Sequence, residues 1–189
     1  MPMGRGAKTA IGIGVVVLIL YLLLASPYNR LVSLQERVAK ARADVEVQLN
    51  RRLDLIPNLV ETVKGYAAHE RQTLEAVIKA RRQVATAGTL AQKLAANQGL
   101  TQALDRLMVV VERYPQLKAS QNFRTLQDQL EGTENRIAVA RTRYNEAVRA
   151  YNTAIRRFPT VIVARLLGFA PEQTFSAPPQ AQQAPKVKF

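Results

Sequence analysis

His69 and Glu70 stand side by side, and His69 is the one histidine of the chain. The pair opens the spacing used by zinc proteases, in which one helical face presents two imidazoles four residues apart and a glutamate serves as base. Thr73 stands where the second imidazole would be. A chain with one histidine cannot build an imidazole zinc site, so the pair reads as a surface or interhelical histidine hydrogen-bonded to a carboxylate.

Three other polar groupings carry potential chemistry. Arg51, Arg52 and Asp54 precede Pro57 and Asn58, which gathers cations and a carboxylate where a helix is expected to end. Such a set either binds a ligand or satisfies free backbone groups at helix termini. Glu131, Glu134, Asn135 and Arg136 surround Gly132, with Asp128 one turn earlier. Acid–base catalysis or a hard cation would need matching groups on a second helix; without them the cluster reads as a buried network that fixes helix register. Tyr144-Asn145 and Tyr151-Asn152 lie seven residues apart on one helical face. Their hydroxyls and amides suit cross-links between helices or a face for a sugar or peptide.

These residues need a scaffold, and composition limits which one. The chain has 189 residues and no cysteine, which removes disulfides, thiolate metal sites and cysteine nucleophiles together. Its net charge of +13 is spread along the length, with no run of five like charges. Phosphate-cradling glycine loops, aromatic RNA-binding platforms and tryptophan are absent, so only net charge would argue for nucleic acid and no specific nucleic-acid partner is expected. No cofactor is expected either.

Thr9 to Ser26 is an uncharged run of 18 residues, which as a helix would extend ~27 Å and nearly match the hydrocarbon core. It follows a short basic start, 1–8, and predicts a single-pass transmembrane anchor over 9–26. A cleaved secretory signal is the competing reading, but a cut near Ala25 would place bulky Leu23 where a small side chain belongs. Arg5 and Lys8 on one flank face Arg30, Arg37, Lys40 and Arg42 on the other, so charge barely sets the orientation; the basic start tips it towards an extracytoplasmic bundle.

From Tyr28 to Phe158 the sequence reads as helix throughout. Phe123, Leu126, Leu130, Thr133, Ile137, Ala140, Tyr144, Ala147, Tyr151, Ala154 and Phe158 recur at three- and four-residue steps, the seam of a long packed helix. A second seam runs from Leu31 to Ala67 and changes phase at Val45 to Leu49, a stutter, shortly before Pro57. A joint is therefore predicted within Asp54 to Asn58. Further turns fall at Gly88-Thr89 or Asn97 to Gly99, the latter with Thr101 as N-cap, and at Tyr114-Pro115. The expected fold is all-α: the transmembrane helix, then an up-and-down antiparallel four-helix bundle of long helices over 28–158. A short apolar helix over 159–170, stopped at Gly168, should dock on the bundle, another subunit or the bilayer. The tail, 171–189, is expected to be disordered.

Three stretches resemble a LemA family protein: YNRLVSLQERVAKARADVEVQLNRRLDLIPNLVETVKGYAAHERQTLEAVIKAR, then LDRLMVVVERYPQLKASQNFRTLQDQLEGTENRIAVARTRYNEAVRAYNTAIRRFP, then LLGF. The resemblance spans roughly Tyr28 to Phe175. It implies a bacterial membrane-anchored four-helix bundle of bromodomain-like topology with no established enzymatic activity. The family pattern lands on Arg51, Arg52, Asp54, Pro57, Asn58, His69 and Glu70, then on Glu112, Tyr114, Pro115, Glu131, Glu134, Asn135 and Arg136. It continues through Tyr144, Asn145, Tyr151, Asn152, Phe158 and Pro159. A non-enzymatic scaffold that self-assembles at the bacterial inner membrane is the expected function. The alternative is an adaptor or sensor that takes another envelope protein or a small ligand at the polar joint near 51–58.

Overall fold

The computed structural model describes residues 5–175, without the side chains of 5, 7–11, 16–17, 19–20 and 22–23. Its elements are α1 (Arg5–Tyr66), α2 (Arg71–Thr86), α3 (Leu90–Val111), α4 (Pro115–Ala119), α5 (Gln121–Ala154) and α6 (Thr160–Leu166). The protein is all-α, with no strand among the described residues. Among them, too, no helix is long and apolar enough to cross a membrane. The expected anchor falls within α1, and half of its side chains lie outside the described residues.

The chain divides into two units, and α1 and α5 lend residues to both. The larger unit contains 41–144. Its core joins Leu53, Ile56 and Val63 of α1 to Leu74 and Val77 of α2, Leu104 and Leu107 of α3, Leu117 of α4, and Phe123 and Leu130 of α5. Apolar side chains at three- and four-residue spacing put one stripe of each helix into this cluster, and burial of that stripe stabilises the helices. The smaller unit comprises 1–40 and 145–174. It buries Leu31 and Val38 of α1, Val148, Tyr151 and Ile155 of α5, and Val163 and Ala164 of α6.

The predicted joint at Asp54 to Asn58 does not form: α1 continues through Pro57 to Tyr66. Proline cannot donate to the carbonyl four residues earlier, here Leu53, and an open carbonyl in a half-buried position is costly. Arg81 of α2 supplies the missing donor, its Nε reaching the Leu53 oxygen at 2.9 Å. With Pro57 itself exposed, the side chain from α2 makes an unbroken helix affordable. The first turn comes later, between Tyr66 and Arg71.

The second turn falls at Gly88-Thr89, where a capping box opens α3: Thr89 Oγ1 accepts from Gln92 N at 3.2 Å, and Gln92 Oε1 accepts from Thr89 N at 3.1 Å. Asn97 to Gly99 is helix interior, and Thr101 is no N-cap; its hydroxyl donates to the Asn97 carbonyl one turn back, at 3.1 Å. Gly132 leaves α5 intact as well. Phe158 drops off the long seam because α5 ends at Ala154, and it stands 80% exposed. Gly168, at φ +75°, follows α6 in the left-handed conformation that suits glycine.

Thermodynamics of Pro57 and Arg81 are thus linked. Arg81→Ala should lower stability by about 1–2 kcal/mol, since it takes from the Leu53 carbonyl the donor that stands in for the missing proline N–H. Pro57→Ala should raise it by about 1–3 kcal/mol by restoring the backbone bond. In the Pro57→Ala background the Arg81→Ala penalty should shrink by about 1 kcal/mol. Urea denaturation of the four chains reads this cycle, and strictly additive effects would contradict the role given to Arg81.

Candidate functional site

Arg52 is the centre of the polar structure in the larger unit. It lies three residues after Leu49 and four before Ile56, both buried, so the helical repeat turns it inward while Arg51 faces out. Only 3% of Arg52 is exposed. A guanidinium so placed needs acceptors, because a buried unpaired cation costs several kcal/mol. Its Nη1 donates to Asn97 Oδ1 at 2.9 Å and Thr101 Oγ1 at 3.1 Å, both on α3, and to the Glu134 carboxylate on α5. Its Nε is buried without an acceptor. Burial pulls the pKa of Arg52 down, opposed by the charges of Glu134 and Asp105.

A second polar cluster sits where α1 gives way to α2 and α3 to α4. Glu70 Oε1 accepts from Arg113 Nη2 and from the Tyr114 hydroxyl, each at 3.0 Å. The residues supplying this latch flank two turns, so it ties one helical connection to another. The Glu70 carboxylate, by accepting the phenol's hydrogen bond, pushes the Tyr114 pKa upward. His69 is exposed and makes no part of it. His69 and Glu70, adjacent in sequence, thus take separate places, with Glu70 turned to the α3–α4 connection.

The remaining predicted residues fall into three places. Arg51 lines an open groove of about 270 Å³ with Thr125, Asp128, Gln129, Gly132 and Arg136. Asn135 and Arg136 line another of about 440 Å³ with Asp44, Gln48, Val139 and Arg143. Asp54 and Asn58 are exposed, and Glu131 accepts from Gln127 one turn back at 3.1 Å. Glu131, Glu134 and Asp128 thus point to separate surroundings. Among the described residues no cluster of three histidines or carboxylates could hold a metal ion.

Tyr151 and Asn152 of α5 hold backbone. In the smaller unit the Tyr151 hydroxyl donates to the Ala170 carbonyl at 3.0 Å. The Asn152 amide donates to the Glu172 carbonyl at 2.7 Å and accepts from the Glu172 N–H at 2.9 Å. An amide side chain paired in this two-way fashion mimics a strand neighbour and straps an extended segment onto the helix. Burial, then the charge of Glu172, raises the Tyr151 pKa. In the larger unit Tyr144 stacks on Phe175, centroids 4.8 Å apart, and Arg149 Nε donates to the Asn145 carbonyl at 3.3 Å in the smaller one. The tail expected to be disordered from 171 is therefore held as far as Phe175, and 176–189 lie outside the described residues.

Asn97 and Thr101 belong to the Arg52 site but read in the sequence as a turn. The available signal was their place in the series Leu90, Leu94, Asn97, Thr101, Leu104, Met108, a three- and four-residue repeat with two polar members. Polar groups inside such a seam require a polar partner across the interface. Arg81 carries no comparable signal.

Two predictions follow from these geometries. Glu134→Ala should cost about 2–3 kcal/mol in chemical denaturation, because the buried guanidinium loses its counter-charge, whereas isosteric Thr101→Val should cost about 1 kcal/mol. Tyr114 and Tyr151 hold their protons more tightly folded than unfolded. The stability this gives is complete below the ordinary phenol pKa of 10.0 and is lost as pH climbs through the raised folded values. Tyr114→Phe with Tyr151→Phe should flatten the alkaline fall of the urea midpoint; an unchanged fall would remove both phenols from it.

The model of the LemA family matches residues 41–189. Magnetosome protein MamQ of Magnetospirillum gryphiswaldense is 28% identical, over 94% of this chain and 75% of its own. Magnetosome protein MamQ 2 of Paramagnetospirillum magneticum is 30% identical over the same shares. With the family pattern covering most of its length, the chain belongs to the LemA family.

Proposed function

We propose that the protein is a non-enzymatic scaffold of the bacterial inner membrane, anchored by a single pass over 9–26 and assembling with further copies through its helices. On this reading the helical stretches of 28–158 form an up-and-down four-helix bundle on the extracytoplasmic side. The observation that carries it is apolar surface without a described partner. Ile13, Val15 and Leu18 are exposed in the smaller unit, and Val47, Val109 and Val139 in the larger. Large exposed apolar side chains suit lipid or another helix better than water. The polar groups support the same reading, since Arg52, Glu70, Tyr151 and Asn152 are engaged in holding segments of the chain together. The relatives, named as magnetosome proteins, carry no enzyme name.

A second reading, an adaptor that captures an envelope protein or small ligand near 51–58, is favoured by the polar groove beside Arg51. Arg51 is its testable residue, because Arg51 is exposed and can be replaced without opening the core.

The mass of the full chain in mild detergent, from light scattering coupled to size exclusion, separates the two. A defined multimer is expected for the scaffold. A monomer would remove that reading, and a co-purifying partner lost on Arg51→Ala would establish the adaptor.

A further inference from the structure

The smaller unit carries a groove of about 610 Å³ whose walls are Tyr21, Leu24 and Tyr28 of α1 with Val163, Leu166 and Leu167 at α6. α6 buries Thr160, Val163 and Ala164. On its other side Phe158, Ile162 and Leu166, at four-residue spacing, are 80%, 53% and 73% exposed. Side chains four apart on a helix share one face, so Ile162 and Leu166 make an apolar ridge beside the groove, and Phe158 stands exposed just before the helix. Phe169, just beyond, meets the Tyr28 ring edge-on at 6.3 Å, which fixes the end of this segment against α1.

Charge says what covers the ridge. From Arg149 to Leu167 there are four arginines and no carboxylate, and Arg156, Arg157 and Arg165 are all exposed. A second copy would bring the same cations to the same place and be repelled. An anionic surface would be attracted, and arginine stems can lie along apolar material while the guanidinium reaches phosphate. Tyr21 and Tyr28 fit the boundary between hydrocarbon and water, where one end of the ring is dry and the hydroxyl is wet.

We propose that α6 and Phe158 form a second membrane contact, an interfacial foot that lies in the headgroup layer of an anionic bilayer, with Arg156, Arg157 and Arg165 on lipid phosphates. The foot rests on the reading of 9–26 as the anchor. Its role is to add a second attachment at the bilayer surface, which restricts orientations that one attachment leaves open.

The chain has no tryptophan, so a single one can be placed as a reporter. Full-length Leu166→Trp and Leu18→Trp chains are reconstituted into phosphatidylcholine–phosphatidylglycerol vesicles whose acyl chains carry bromine at shallow or deep positions. The foot predicts quenching of Leu166→Trp by shallow bromines and of Leu18→Trp by deep ones. Quenching at Leu18→Trp alone would overturn the foot and leave the anchor standing. No quenching at either would remove the anchor, and the foot with it. A Leu166→Trp reporter shielded from both bromine and aqueous iodide would overturn the foot in favour of cover by protein. Arg156→Gln, Arg157→Gln and Arg165→Gln together should cut the shallow quenching about twofold or more; no change would overturn the assignment of these cations to lipid phosphate.

Discussion

A guanidinium placed among helices dictates much of the larger unit. Arg52 must find acceptors inside the protein, and it finds them on α3 and α5 at once. Apolar seams tolerate sliding, since one leucine replaces another with little loss, whereas an amide, a hydroxyl and a carboxylate around one nitrogen fit a single alignment. Glu134, with its side chain 44% exposed, keeps part of its hydration while neutralising the buried cation. The network thereby limits its own desolvation cost.

The same logic of satisfying polar groups operates elsewhere. Pro57 opens a carbonyl that Arg81 closes from another helix, so a local defect becomes a tertiary contact. Glu70 ties together the connections on either side of α2 and α3. In the smaller unit Asn152 pairs with backbone that has no sheet to join. In each case a residue type that suggests chemistry is held by a structural demand.

The seams were legible because burial follows the helical repeat directly: from Leu31 to Ala67 every seam position is buried or half-buried, across the stutter and past Pro57. The unbroken helix was not legible, since the donor that rescues Leu53 lies 28 residues away and no local pattern announces it. Gly99 misled for a related reason. Glycine weakens a helix by only about 1 kcal/mol, which packing readily overrides. At the site, Arg52 could be told from Arg51 by its phase against Leu49 and Ile56, but its partners required knowing that Asn97 is inside a helix. The role of the tyrosine–asparagine face was legible as a cross-link, while its target, an extended segment of the chain itself, was not.

On the function proposed above, the polar constellation around Arg52 is architecture, and function lies in the membrane and in surfaces the helices present outward. Replacing the pair together tests it: Arg52→Met with Glu134→Leu removes the buried charge and its counter-ion at once, a change that buried ion pairs often tolerate. The account predicts a helical, cooperatively unfolding chain within about 2 kcal/mol of the parent in stability and with the same mass in mild detergent. A chain that stays folded and equally stable but loses its assembly or its partner would contradict it, and would make the Arg52 site a place of recognition.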